Sequence, residues 1–243
     1  MMRARLKKFY VNQTFNPGLA GLIFNPFYHA RRGLYRAIAG FAGCVQGRVL
    51  DVGCGQKPYE HLFVCQQYVG LEYDSEQNRR NKKADYFYTG GVFPFRDGEM
   101  DVVVCNQVLE HVFNPDDFMR EIARVLKPGG GLLLTVPFLW DEHEQPYDYA
   151  RYSSFGLRAL VERNGFLIAS AIKTNPGMLA LAQLLAGYLY KITLTRFFAL
   201  NLLIAFFLIA PVNIAGAILG KLLPTVQDIY LDNVIFANKK DQL

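Results

Sequence analysis

The stretch Val49-Leu50-Asp51-Val52-Gly53-Cys54-Gly55 restricts the fold of this chain more than any other. Two β-branched residues and a leucine read as a buried strand. The glycines one residue apart read as a sharp turn leaving it. Glycine admits positive φ there, and the missing Cβ lets a ligand approach the main chain. An acid at the strand's end separates this stretch from an ordinary strand-turn-helix corner, in which the glycines serve the turn alone.

The chain that follows alternates strand and helix signals. Tyr68-Val69-Gly70-Leu71-Glu72 reads as a second strand, and Pro58 and Tyr59 open a short helix to about Cys65. Residues 75–83 read as a solvated loop or helix end, and 85–89 as a third strand or its approach. Asp101 to Cys105 is a buried fourth strand. Asn114-Pro115-Asp116-Asp117 starts a helix, with proline early and acids in the first turn. Lys127-Pro128-Gly129-Gly130-Gly131 ends that helix, and Leu132 to Val136 is a fifth strand. Ser153-Ser154 caps a helix before a sixth strand over Phe166 to Ile172, and residues 232–240 read as a closing strand. Such alternation argues for a parallel sheet with helices on both faces.

Glu72 lies 21 residues after Asp51. In a doubly wound sheet this places an acid at the carboxyl end of the neighbouring strand, where it accepts hydrogen bonds from ribose hydroxyls. Asp74 is the competing acid. A nicotinamide dinucleotide is disfavoured, because its fingerprint needs a glycine where Pro58 stands.

Taken in order, Val49 to Gly55, Glu72, Pro94-Phe95, Asp101 to Cys105, Leu109-Glu110-His111-Val112, Arg124 to Gly130 and Thr135-Val136-Pro137 resemble the class I S-adenosylmethionine (SAM) methyltransferases of the ubiquinone-biosynthesis type. The resemblance covers about residues 47–173. It implies a Rossmann-like, doubly wound, mostly parallel seven-stranded sheet with SAM as cofactor. The other segments then become an N-terminal helical cap (1–45), a SAM-binding core (46–174), an apolar helical hairpin (175–228) inserted before the last strand, and the closing strand (229–243). It also implies that Asp51 orients the methionine part of SAM beside Gly53, Cys54 and Gly55. Glu72 with Tyr73 binds the ribose, and Asn106 and Gln107 flank the methionyl part. Two positions depart from the family. Lys57 stands where a third glycine is common, and Thr89 where an acid or amide often meets adenine; Thr89 or Asp85 is left for that contact.

Residues 137–152 follow the carboxyl end of the fifth strand, where ligands of open α/β sheets bind. The stretch holds the only tryptophan, Trp140, with His143, Tyr147, Asp148 and Arg151. It resembles a loop of methyltransferases found with polysaccharide and lipid-linked glycan pathways. His143 is the candidate general base, since an imidazole titrates near neutral pH. Asp148 orients it or binds a sugar hydroxyl. Arg151 holds a phosphate or carboxylate bidentately, and Trp140 and Tyr147 complete an acceptor surface. The bland alternative is a hydrogen-bonded lid without chemistry. His111 reads as a helix-packing histidine. The four histidines are scattered and the four cysteines lack metal-like spacing, so no metal site is expected. The cysteines read as reduced packing residues of a cytosolic protein.

Residues 197–220 are 24 in a row without a charge, enough to cross a ~30 Å hydrocarbon core. Pro211, Asn201 and Asn213 weaken a simple span. A closing strand that returns to the sheet excludes a single crossing, which leaves a hairpin dipping into one leaflet or two short spans. A dimer interface or an extended core is the alternative cover. Charged residues make up only 19% of the chain, the net charge is +5, and the N-terminal segment carries Arg3, Arg5, Lys7, Lys8, Arg31, Arg32 and Arg36. This balance fits anionic lipid, an anionic acceptor or nucleic acid. The combined expectation is a methyltransferase on the inner face of the cytoplasmic membrane, acting on an oxygen of a small-molecule or lipid-linked acceptor. An RNA methyltransferase and a non-catalytic SAM-fold membrane scaffold are the alternatives. The fourth strand ends without the D/N-P-P-Y sequence used on exocyclic amines, and nucleic acid is disfavoured.

Overall fold

The computed structural model describes residues 13–241. Arg3, Arg5, Lys7 and Lys8 of the basic N-terminal expectation lie outside the described residues. The elements run α1 (Leu19–Phe24), α2 (Tyr28–Gly40), β1 (Arg48–Val52), β2 (Gln67–Tyr73), α3 (Glu76–Asn81), β3 (Tyr86–Tyr88), β4 (Met100–Asn106), α4 (Pro115–Val125), β5 (Leu126–Pro137), α5 (Ser154–Arg163), β6 (Phe166–Lys173), α6 (Met178–Thr193), α7 (Phe198–Ile204), α8 (Ala210–Leu222) and β7 (Asp232–Lys239). They form two compact units. One holds the residues up to Ala37 with 173–231; the other holds 38–172 with the chain from Asp232 onward.

The second unit carries the sheet, in the order β3-β2-β1-β4-β5-β7-β6. β1 pairs parallel with both β2 and β4, so the strand order reverses beside it. β7 lies antiparallel to β5 and closes a mostly parallel, Rossmann-like sheet of seven strands. Leu50, Val52, Val103, Cys105, Leu132 and Leu134 are buried to within a few per cent, as continuous apolar runs in parallel strands require. Against them pack Phe118, Met119, Ile122 and Val125 of α4 and Leu157, Leu160 and Val161 of α5. The two helices are also tied by Asp116, whose carboxylate takes both Arg163 guanidinium hydrogen bonds (2.7 and 2.6 Å) and one from Asn164.

Three local expectations change. The segment after Pro58 forms only a short 3-10 turn over Glu60–Leu62 instead of a helix. Residues 76–81 are helical, because the Ser75 hydroxyl caps the Asn78 N–H at 3.1 Å. The glycine run 129–131 belongs to β5, not to a helix end: Leu126 pairs with Met100 and Gly131 with Val102 across an irregular step in register. A Cβ on Gly131 would sit 2.9 Å from the Phe236 ring, so the strand needs a glycine at that position. At the start of α5, Ser153 caps the Gly156 N–H at 3.2 Å, as its position in the sequence suggested.

The first unit is helical. Ala30 N–H donates to Gln183 Oε1 (3.0 Å) and Gln183 Nε2 to the Pro26 carbonyl (2.9 Å). Asn213 Nδ2 donates to the carbonyls of Leu22 and Asn25, each at 3.1 Å. Gln183 and Asn213, buried in the apolar stretch, thus bind main-chain groups of the N-terminal helices and of the link between them. Gly216 lets α8 approach α6 closely, since a Cβ there would lie 2.4 Å from Ala182 Cβ. Pro211 has no N–H for the carbonyl four residues back, and the five residues Ala205–Ile209 between α7 and α8 are wound as a π-helix. The most apolar 18-residue window of the continuous helix Phe198–Leu222 has a mean hydropathy of 2.5, and 28% of that window is buried. Phe198, Leu203, Phe207, Ile218 and Leu222 are exposed on it.

Candidate active site

The turn after β1 folds over the end of β2. Gly53 N–H donates to the Leu71 carbonyl at 2.8 Å, and Gly55 N–H donates to Glu72 Oε2 at 3.0 Å. Gly53 (φ +69°) and Gly55 (φ +53°) take left-handed conformations. A Cβ on Gly53 would strike Val108 at 2.3 Å, whereas Gly55 has open space before it. The main chain at Gly55 is therefore bare toward a ligand, beside a carboxylate already positioned by its N–H.

Asp51 and Glu72 are both buried. Asp51 accepts the Tyr68 hydroxyl hydrogen at 2.8 Å, yet burial raises its pKa from 3.8 to about 7. A buried acid in that state is stabilised by any cation that comes to it. Glu72 Oε1 also accepts from Tyr73 N–H at 3.2 Å. Asp74, the competing acid, is turned outward onto Arg79 in a bidentate pair of 2.6 and 2.7 Å. Cys54 is buried with its thiol pKa pushed up to about 12, first by burial and then by the charge of Asp51, so it packs as a thiol.

Lys57 takes the left-handed conformation (φ +52°) at the position where the resemblance implied glycine. Its stem crosses Gly70, where a Cβ would meet Lys57 Cε at 2.6 Å, and its ammonium reaches Asp85 Oδ2 at 2.6 Å. That oxygen also accepts from Gly70 N–H at 2.7 Å. Asp85 is thus engaged in holding the turn, and Thr89 at the end of β3 is exposed.

At the end of β4, Thr135 Oγ1 donates to Asn106 Oδ1 (2.6 Å) and accepts from Gln107 Nε2 (3.2 Å). Gln107 is left-handed (φ +55°), a conformation uncommon outside glycine and concentrated at functional sites. One turn later Glu110 points inward with none of its side chain exposed, and neither carboxyl oxygen has a hydrogen-bond partner. Burial raises its pKa from 4.5 to about 8.

The loop 138–152 closes on this acid. His111 and His143, 32 residues apart in the sequence, lie edge to face with ring centres 4.8 Å apart. Asp148 Oδ2 accepts the His143 N–H at 2.9 Å and lies 3.3 Å from its Nδ1. Arg151 grips both oxygens of Asp148 (2.5 and 2.6 Å), donates to the Asp141 and Ala150 carbonyls, and holds the Asp148 carboxyl down at about 2. The guanidinium fork expected to take an acceptor anion is therefore spent inside the loop, because Asp148 is a nearer carboxylate. Tyr147 is exposed and Trp140 half-buried. Glu110 is the residue that sequence reasoning passed over. Its signal was an acid in an otherwise apolar Val108-Leu109-Glu110-His111-Val112 run.

Residues 50–134 match the family model described as "Methyltransferase domain". A probable SAM-dependent methyltransferase of Mycolicibacterium smegmatis is 32% identical over 128 residues, covering 50% of this chain and 48% of that protein. The chain thus spans about half the length of the curated relatives it matches. Among solved structures, a phosphoethanolamine N-methyltransferase of Haemonchus contortus in complex with SAM aligns with a TM-score of 0.55 at 18% identity, over 96% of this chain and 60% of that one. A SAM-dependent methyltransferase of Thermotoga maritima aligns at 0.54 and 16% identity, over 96% and 100%. Residues 50–134 thus resemble the domain of class I SAM-dependent methyltransferases, and SAM is the cofactor that this similarity indicates.

Proposed function

We propose that this domain transfers a methyl group from SAM to an oxygen of a membrane-associated or lipid-linked acceptor. The observation that carries the cofactor half is the pair Asp51 and Glu72, buried at adjacent strand ends on either side of a bare glycine turn. SAM brings an ammonium, ribose hydroxyls and a methyl already activated on a sulfonium. Asp51 takes the ammonium, Glu72 the ribose hydroxyls beside Tyr73, and the Gly53–Gly55 main chain the close approach that a side chain would block. Asn106 and Gln107 line the same strand ends. Thr89 is the candidate for the adenine edge.

On the acceptor side, the loop 138–152 supplies His143. Its Nδ1 faces Asp141 O and Asp148 Oδ2 at 3.2 and 3.3 Å, and in this reading its Nε2 takes the acceptor's proton. Asp148 orients the ring, and Arg151 fixes Asp148. Trp140 and Tyr147 border the acceptor. The choice of acceptor rests on the exposed apolar helix Phe198–Leu222, which suits a protein lying on the inner face of a membrane near a lipid-linked substrate.

Calorimetry with SAM, followed by labelled-methyl transfer to membrane lipid extracts, tests this reading. Micromolar SAM binding and a labelled lipid product are expected; absence of SAM binding with Asp51 and Glu72 intact would overturn it. His143→Ala should slow transfer while SAM affinity is kept. Fractionation without detergent should leave the protein with membranes, and a fully soluble monomer would contradict the membrane half.

A further inference from the structure

Glu110, His111 and His143 each offer one ligand atom, and those atoms lie within 4.8 Å of one another. Glu110 Oε1 is 3.9 Å from His111 Nε2 and 4.0 Å from His143 Nε2. Both imidazole edges therefore converge on one carboxylate oxygen, at a distance too long for a hydrogen bond. This oxygen is fully buried and has no hydrogen-bond partner, a costly arrangement unless something occupies the space between the three groups.

The two rings are oriented alike. His111 Nδ1 lies 2.9 Å from the Tyr147 carbonyl, and His143 Nδ1 lies 3.2 Å from the Asp141 carbonyl and 3.3 Å from Asp148 Oδ2. Only an N–H can make these contacts to acceptors, so each Nδ1 carries the proton and each Nε2 points its lone pair at Glu110. Histidines that ligate metals are held in this way, with the other ring nitrogen donating to a carbonyl or carboxylate that fixes tautomer and direction. Asp148 is fixed in turn by Arg151. Arg151 Nε also lacks a partner, but its two terminal nitrogens are committed to Asp148 and main-chain carbonyls. It gives Glu110 charge, not a bond.

We infer that Glu110 Oε1, His111 Nε2 and His143 Nε2 form a binding site for a divalent first-row transition ion. Two imidazoles and one carboxylate suit Zn²⁺, Fe²⁺, Mn²⁺ or Co²⁺ and leave coordination positions open for water or a substrate oxygen. Ligand bonds of about 2.1 Å bring cis donors to roughly 3.0–3.4 Å, so donors now 3.9, 4.0 and up to 4.8 Å apart must close by about 0.5–1.8 Å. His143 sits on a loop and its side chain is one-third exposed, whereas Glu110 is fully buried, so most of that movement falls to the loop that carries His143. The inference rests on the proposed function at one point and refines it: with an ion in place, His143 would act as a ligand, the ion would lower the pKa of an acceptor hydroxyl bound to it, and that proton would leave to solvent water instead of to the imidazole. Ion binding itself does not depend on methyl transfer.

The test uses the full chain, stripped of metal and titrated with Co²⁺ and Zn²⁺. Expected are one ion per chain, a Co²⁺ visible spectrum with nitrogen ligation, and at least tenfold weaker binding in both Glu110→Gln and His143→Ala. His61→Ala, at an exposed histidine outside the cluster, should bind as the wild type does. His143→Ala lies in a loop, so it keeps the test decisive should the buried Glu110→Gln fail to fold. No stoichiometric ion, or an ion whose affinity both substitutions leave unchanged, would overturn the inference. SAM calorimetry on the same samples keeps the two readings apart. Metal binding without SAM binding would uphold this site and sink the methyl-transfer reading, and SAM binding without metal would do the reverse.

Discussion

Tyr68 donates its hydroxyl hydrogen to Asp51 Oδ2 at 2.8 Å, between the first two strands of the sheet and beneath the glycine turn. The bond lowers the cost of a buried carboxylate without cancelling it, and the Asp51 pKa stays at about 7 against 3.8 in the open chain. Between those values the folded state binds more protons than the unfolded one. Stability is therefore highest below about pH 4 for this group and is lost as pH rises through 7. The full difference corresponds to roughly 4 kcal/mol as an upper figure. Asp51→Asn should make the ligand-free protein more stable at pH 8 and flatten that slope, as read from urea midpoints at pH 5.5 and 8. The same substitution should weaken SAM. In the wild type, SAM affinity should rise between pH 5.5 and 7 as Asp51 ionises, and a flat calorimetric profile across that range would count against Asp51 as the ammonium partner.

Glu72 holds the turn, since its Oε2 accepts from Gly55 N–H, and in the proposed function it also holds the ribose. Glu72→Ala removes hydrogen bonds to a charged group, each worth about 1.5–3 kcal/mol. SAM affinity should fall on the order of tenfold to a few hundredfold by calorimetry. Glu72→Gln, which keeps an acceptor oxygen, should recover part of it. Equal affinity in the alanine variant would remove Glu72 from the site.

Lys57 does by a different route what a third glycine does elsewhere. It pays the left-handed backbone strain, and its ammonium at 2.6 Å from Asp85 clamps the turn to β2 and the start of β3. Lys57→Gly relieves the backbone but loses the clamp, so stability should change by about 1 kcal/mol or less while the turn loosens. The informative readout is amide hydrogen exchange. Protection at Gly70, whose N–H donates to Asp85, should drop in Lys57→Gly and not in a surface control such as Lys83→Gly.

The strand-end groups proposed for the cofactor are more legible in the sequence than those proposed for the acceptor. Asp51, the glycines and Glu72 sit at the ends of short apolar runs, and strand periodicity alone places strand ends together. Glu110 and His143 meet because a loop without regular structure folds back, and nothing in the spacing of residues 110 and 143 encodes that. Arg151 read as an open anion fork because its partner Asp148, three residues away, was assigned to histidine instead. The start of β5 was hidden by the Lys127–Gly131 run, whose helix-stopping chemistry is genuine. α4 does stop at Val125, but the glycines then serve a strand packed against Phe236.

Gln183 tests how the apolar helices are held. Its amide satisfies the Ala30 N–H and the Pro26 carbonyl while it is fully buried in α6. Gln183→Leu roughly keeps the volume and suits an apolar helix, yet strands two buried main-chain groups at about 1–3 kcal/mol each. A helix kept in place by lipid or apolar packing alone would tolerate that change. One anchored through this amide should lose roughly 2–5 kcal/mol of stability. The thermal midpoint of the detergent-solubilised protein should then fall by several degrees, while Leu184→Gln on the exposed side of the same helix should leave it nearly unchanged. If the two substitutions shift the midpoint equally, the buried amide is not what holds α6 to the N-terminal helices.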